Sequence, residues 1–257
     1  VALSSFLIDK FPVNVGDFAT FVNEAGVCSP NGEDLVPGAV GPNCESDEGP
    51  PIFSLWILPN PIAGDEKGVW VMDGYKNYPA RTSWTGAQTF CNSHGKRLCT
   101  DAEWERAAGG PQGHAWPWGD SWPWGNSWLD APDSVANCAE QLSGHFFGCS
   151  DGYGEESPVD AFPEGRALGS GCMDMAGNTY EWVYDLYCCE YYSWDVDWDD
   201  PMGPCNGELP CDTCNIWGTM DNRIVRGGGS EHGKVFIRSD TKLQLTPDSS
   251  AGFRCCQ

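Results

Sequence analysis

Gly95-Lys-Arg-Leu-Cys-Thr-Asp-Ala-Glu-Trp-Glu-Arg-Ala-Ala108 places a helix breaker ahead of a complete helix start. Within it, Thr100-Asp-Ala-Glu103 is a capping box: the threonine oxygen and the glutamate carboxylate each satisfy an amide that the first turn leaves without a partner. Trp104 and Ala107 then face a core, and Gly109-Gly110 ends the element. Immediately upstream, Ser83 caps a helix through His94 with Ala87, Phe90 and Cys91 on its inner side, and Gly95 stops it. A further helix is predicted from about Val15 to Ala25, where Phe18, Phe21 and Val22 share a face and Gly26 follows. Short strands are expected at Phe6 to Asp9, before a turn at Pro12, and at Gly68 to Gly74. Residues 27–67 form an insertion that a local bridge between Cys28 and Cys44 would tie down. Beyond residue 130 the signals are short strands and loops.

Composition limits what such a chain can do. Among 257 residues, 37 Asp and Glu face 14 Lys and Arg, a formal charge of −23. Phosphate backbones and anionic lipid repel that charge, and the sequence offers no basic patch, so neither nucleic acid nor membrane insertion is expected. No apolar run reaches the roughly 18 residues of a membrane span; Ile52 to Ala63 is broken by Ser54, Pro59, Asn60 and Pro61. With 32 Gly and 19 Pro, long helices cannot dominate. No block recurs and no linker divides the chain, so residues 1–257 read as a single domain.

Fourteen cysteines point to an oxidising compartment, hence to a secreted or cell-surface protein in which each bridge adds ~2–4 kcal/mol. Val1 to Ile8 lacks the basic start and cleavage site of a signal peptide, which reads as a processed form. Cys211-Asp-Thr-Cys214 has the gap of a zinc knuckle, but His94, His114, His145 and His232 are scattered singly, and a disulfide loop is the simpler reading. Neighbours Cys188-Cys189 and Cys255-Cys256 are each expected to reach different remote thiols, leaving none free. The tandem Pro117-Trp-Gly-Asp-Ser-Trp122 and Pro123-Trp-Gly-Asn-Ser-Trp128 reads as a rigid aromatic loop, either padding or a stacking platform. Tyr191 to Asp200, rich in Trp and Asp, is a solvated face or a holder of calcium or a cationic partner.

Several segments in order resemble the formylglycine-generating enzyme family, also called the sulfatase-modifying factor domain. They are Phe11-Pro-Val-Asn-Val-Gly-Asp-Phe18, residues 95–108 with Trp116-Pro-Trp-Gly119, Ser157-Pro-Val-Asp-Ala-Phe-Pro163, and Asp174-Met-Ala-Gly-Asn-Thr-Tyr-Glu-Trp182. Arg226-Gly-Gly-Gly-Ser230 and Pro247-Asp-Ser-Ser-Ala-Gly-Phe-Arg-Cys255 complete the series. The resemblance implies an α+β, elaborated C-type-lectin-like fold with little regular secondary structure, rich in disulfides. It implies a bridge between Cys91 and Cys255. It also implies two structural calcium sites, whose oxygen donors suit a hard cation. One would use the Asn137 side chain, the Cys138 carbonyl, Asp151 and the Tyr153 carbonyl. The other would use Asp174, the carbonyls of Gly177 and Thr179, and Glu181. The plainer alternative is that Asp174 and Glu181 cap local turns.

Formylglycine generators oxidise a sulfatase cysteine with oxygen at a copper ion held by two thiolates, and soft sulfur ligands select Cu(I). Here Ser230 is retained, but Gly233 stands at the place of the first thiol, and no cysteine occurs between Cys214 and Cys255. No copper is therefore expected. Ser230, Glu231 and His232 are the remaining candidates for metal or acid–base chemistry. The expectation is a non-catalytic recognition or structural module that meets an extracellular protein or glycan. A rearranged metal-dependent oxidoreductase and a self-assembling subunit of an extracellular structure or adhesin are the alternatives.

Overall fold

Asn14 starts the first helix: its side-chain oxygen accepts the amide of Asp17 at 2.9 Å, and α1 runs over Val15–Ala25. The computed structural model describes residues 1–25, 57–59, 69–71, 74–121, 136, 152–153, 156–188, 191, 198–204, 221–229 and 236–257. Helix α2 spans Trp84–Ser93 with Ser83 as its cap, the hydroxyl accepting from the Gly86 amide. Helix α3 spans Asp101–Gly109, and both halves of the Thr100/Glu103 capping box are formed. Arg97 adds two 2.6 Å bonds to the Glu103 carboxylate, which holds the capping side chain in place.

Strands β1 (Ile57–Pro59) and β2 (Val69–Val71) pair antiparallel. Strand β3 (Arg97–Leu98) pairs with β8 (Cys255–Cys256). The main sheet has the order β6 (Lys242–Leu245), β5 (Arg223–Arg226), β4 (Glu181–Leu186), β7 (Gly252–Phe253). Its β4 and β7 run parallel, and its other pairs are antiparallel.

Alternation along these strands divides the core into two layers, because successive side chains leave a strand on opposite faces. Trp182, Val225, Phe253 and Cys255 join one cluster with Phe18, Phe21, Phe90 and Leu98. Val183, Ile224 and Cys256 join the other, with Trp104, Ala107 and Met175. Both faces of β4 are thus covered, and five of its six residues are buried. In the first layer the Phe90 ring meets those of Phe21 and Phe253 edge-on, at 5.3 and 5.4 Å between centroids.

The same alternation determines the bridges. Cys255 turns to the first layer and bonds Cys91 of α2; Cys256 turns to the second and bonds Cys99, just before α3. Two readings need correction. Cys172 is unpaired and buried: it lies in the second layer, where Cys99 and Cys256 already bond each other, and its sulfur stands 3.9 Å from the Asp9 carbonyl oxygen. The strand expected at Phe6 to Asp9 is reduced to one bridge, Ile8 with Cys256. Its pairing stops because the next backbone groups are taken. The Lys10 carbonyl accepts from the Met173 amide at 2.8 Å, and the Asp9 and Lys10 carbonyls accept from Arg254. The proposed Cys28–Cys44 bridge and the Cys211/Cys214 loop lie outside the described residues.

Candidate functional site

The segment Asp174-Met-Ala-Gly-Asn-Thr-Tyr180 leads into β4 as a tight, buried turn. Asp174 and Asn178 adopt left-handed backbone angles, φ 54° and 63°, which cost energy for residues with side chains and persist where surroundings enforce them. Asn178 shows the enforcement: its side chain accepts from the Ser157 amide at 3.0 Å and donates to the Ser157 carbonyl at 3.1 Å. The turn is tied on its other side by the Gly177 amide, which donates to the Gly227 carbonyl at 2.8 Å.

At the turn's ends stand two acids with different fates. Glu181 is fully buried and engaged: Arg254 donates through Nε and Nη2 at 2.6 and 2.5 Å, and Trp104 Nε1 donates at 2.7 Å. Arg254 has no exposure itself and spends its remaining donors on backbone carbonyls, among them that of Met173. Burial works against the Arg254 charge, but the Glu181 pair outweighs it and raises its pKa. Asp174 is 8% exposed, and its Oδ2 is buried with no hydrogen-bond partner. Burial pushes its carboxyl well above the usual range, with Glu181 and Asp160 adding to the effect and Arg254 opposing it. A buried carboxylate oxygen without a hydrogen-bond partner, in the field of a second acid, costs free energy in this fold, and a cation there would offset it.

The structure thus brings Asp174, Gly177, Thr179 and Glu181 into one turn. Among the described residues, no three His, Cys, Asp or Glu side chains gather as a metal-holding group; in this turn Asp174 carries the partnerless carboxylate oxygen, while Glu181 is engaged by Arg254 and Trp104. Of the other predicted calcium ligands only Tyr153 is described; its ring meets Phe162 edge-on at 6.0 Å, while Asn137, Cys138 and Asp151 lie outside the described residues. So do Ser230, Glu231 and His232. Gly227 and Gly228, which lead to them, are described, and both have positive φ. Just before the aromatic loop, Trp116 packs in a small cluster with Ala176 and Ile237, against which Trp118 of the loop also packs, and its backbone closes a two-bond turn with Gly119. Trp118 thus takes the padding role, and the loop from residue 122 onward lies outside the described residues.

Arg254 and Trp104 stand in the Gly-Phe-Arg-Cys and Glu-Trp motifs, but nothing in those motifs announces that the group they hold is Glu181. The Asn178 clamp on Ser157 is likewise silent in the sequence. A buried arginine in an otherwise apolar strand end was the available signal, since such a group requires a carboxylate partner.

The family model for the sulfatase-modifying factor enzyme 1-like domain matches residues 1–257. The formylglycine-generating enzyme of Bos taurus is 29% identical over 278 residues, which cover 99% of this chain and 66% of the bovine protein; this chain spans less than two thirds of that relative's length. The inactive C-alpha-formylglycine-generating enzyme 2 of Bos taurus is 29% identical over 272 residues, covering 99% of this chain and 78% of that protein. Among solved structures, PvdO from Pseudomonas aeruginosa superposes with a TM-score of 0.57 at 22% identity, over 98% of this chain and 79% of that one. The fold is α+β, of formylglycine-generating-enzyme type, with short elements and cross-linked by disulfides. The chain belongs to the sulfatase-modifying factor enzyme 1-like domain family.

Proposed function

We propose that residues 1–257 form one non-catalytic recognition or structural domain, built on a formylglycine-generating-enzyme-like scaffold and held rigid by disulfides and structural calcium. The observation that carries this reading is the absence of any cysteine between Cys214 and Cys255. Copper chemistry of the family needs paired thiolates there, and oxygen or nitrogen donors at Ser230, Glu231 and His232 do not replace soft sulfur for Cu(I). The relative named inactive, matched over 99% of this chain, supports the view that the scaffold exists without the activity.

Calcium would be held by Asp174, Glu181 and the carbonyls of Gly177 and Thr179, with a second ion at Asn137, Cys138, Asp151 and Tyr153. The partnerless Asp174 oxygen fits that use, and calcium would supply charge compensation rather than reaction chemistry. Two bridges buried in the core agree with an oxidising compartment and a secreted or cell-surface location. The partner is an extracellular protein or glycan, with self-assembly as the other outcome; the charge of −23 argues against nucleic acid.

Metal analysis after chelation and reconstitution tests the reading. Calcium alone, with no oxidation of a cysteine-containing sulfatase peptide, is the expected result. Copper or iron at one ion per chain, with peptide turnover, would overturn it in favour of a rearranged oxidoreductase.

A further inference from the structure

A second group of buried charges lies away from the Asp174 turn. Asp101, the first residue of α3, has no exposure, and Asp185 on β4 is 1% exposed. They touch: the Asp101 amide donates to Asp185 Oδ2 at 2.7 Å. Asp101 has its own cations, since Arg226 Nε donates to its Oδ1 and Lys242 Nζ stands 3.5 Å from its Oδ2. Arg226 also bonds Glu105 at 2.7 Å. Among the described residues, Asp101 and Glu105 thus pair with Arg226 and Lys242, and Asp185 is the member of this group of three acids with no cation at ion-pair distance.

Backbone covers this acid. Gly203 has φ +79°, and a Cβ placed on it would stand 2.7 Å from Asp185 Oδ1 and 2.8 Å from Asp185 Cβ. Only glycine lets the chain rest there. Gly203 belongs to a strap, residues 198–204, whose start is tied to the N-terminal segment. The Ala2 amide donates to the Trp198 carbonyl at 3.0 Å, and the Asp200 amide to the Ala2 carbonyl at 2.9 Å. Ser4 then donates its amide and its hydroxyl to the two Asp200 oxygens, each at 2.6 Å.

We propose that Asp185 is a proton-operated latch: the strap closes over its neutral carboxylic acid, and loss of that proton loosens residues 198–204 together with residues 1–5 tied to them. A charged Asp185 would be a second buried anion against Asp101 beneath the Gly203 backbone, whereas the neutral acid removes the repulsion and keeps the bond to the Asp101 amide. The other charges facing it come from every neighbouring element. Arg97 of β3, Arg223 of β5 and Tyr191 act at longer range, Arg226 and Lys242 stand behind Asp101, and Asp200 lies on the strap itself. Arg223 is occupied elsewhere, stacked 3.7 Å over Trp84 and bonded to the Tyr184 carbonyl.

The titration behaviour agrees with this placement. Burial, followed by the Asp101 charge, pushes Asp185 from 3.8 up to about 8. Burial alone would raise Asp101 too, but Arg226 and Lys242 hold it below its ordinary value. The closed form thus keeps a proton that the open form gives up. Its stability is complete below the ordinary carboxyl range, falls as pH rises, and levels off above about 8.

Hydrogen exchange on the full chain between pH 5 and 9, corrected for intrinsic rates, tests the latch. Protection of the strap amides is expected to fall about tenfold per pH unit from pH 5 to 7.5 and then level off, because one proton is linked to opening. Asp185→Asn, which mimics the neutral acid, is expected to give flat protection. Wild-type protection that is itself flat, or an identical slope in Asp185→Asn, would overturn the proposal. Should that variant not fold, carboxyl-carbon NMR of the wild type decides: a midpoint for Asp185 above pH 6 supports the latch, and one at or below 6 overturns it.

Discussion

Arg254 and Glu181 show how much one residue can be asked to hold. Both are fully buried, bonded to each other twice, and 73 residues apart. Such a pair contributes little against an apolar replacement of both partners, but breaking it leaves a bare charge in the core. Arg254→Met is therefore expected to cost about 3–5 kcal/mol in urea unfolding, and adding Glu181→Gln should return part of that loss by removing the orphaned charge. An additive double variant would mean that the pair is not coupled. Asp174 is the opposite case, an acid whose Oδ2 has no partner. Asp174→Asn is expected to raise the melting temperature in chelator, where the charge is only a burden, and to shrink the further rise on adding calcium. Equal calcium stabilisation in both proteins would remove Asp174 from the ligand set.

At the scale of elements, stability is set at the helix ends. Thr100 accepts from the Glu103 amide and the Glu103 carboxylate returns to the Thr100 amide at 2.9 Å. Thr100→Ala is expected to cost about 1 kcal/mol and Thr100→Ser a few tenths, read as shifts in denaturant midpoint. Equal losses would show that the hydroxyl bond contributes nothing. These local signals are also what makes the helices legible in the sequence: Ser83, Thr100 and Glu103 act within three residues of themselves, and α1 occupies Val15–Ala25 as its apolar spacing predicts. The stretch Phe6 to Asp9 was misread because its fate depends on distant groups. Met173 and Arg254 claim its next carbonyls, and no property of residues 6–9 announces that. The Asp174 turn was legible as a motif, while Asn178 and Arg254, which enforce it, act on partners 21 and 73 residues away.

At the scale of the whole molecule, the bridges Cys91–Cys255 and Cys99–Cys256 form one device, a double tie between the chain's last strand and the α2–α3 region. The family resemblance supplied Cys91 with Cys255; spacing alone does not fix connectivity. Cys99 with Cys256 follows only once β8 is seen to send consecutive side chains into opposite layers. Because the tied residues are neighbours at both ends, the bridges are not independent. The first closes a loop of 164 residues, worth about 5 kcal/mol in the chain-entropy model. With it in place, the second closes only a small ring through residues 91–99 and 255–256, worth about 3 kcal/mol. Removing either pair alone, as Cys91→Ala with Cys255→Ala or Cys99→Ala with Cys256→Ala, is thus expected to cost about 3 kcal/mol, since the other still closes the long loop. Removing all four should cost about 8 kcal/mol, more than the two separate losses combined. Denaturant unfolding of the three variants under non-reducing conditions measures this, and strictly additive losses would show that the two ties do not constrain the same unfolded loop.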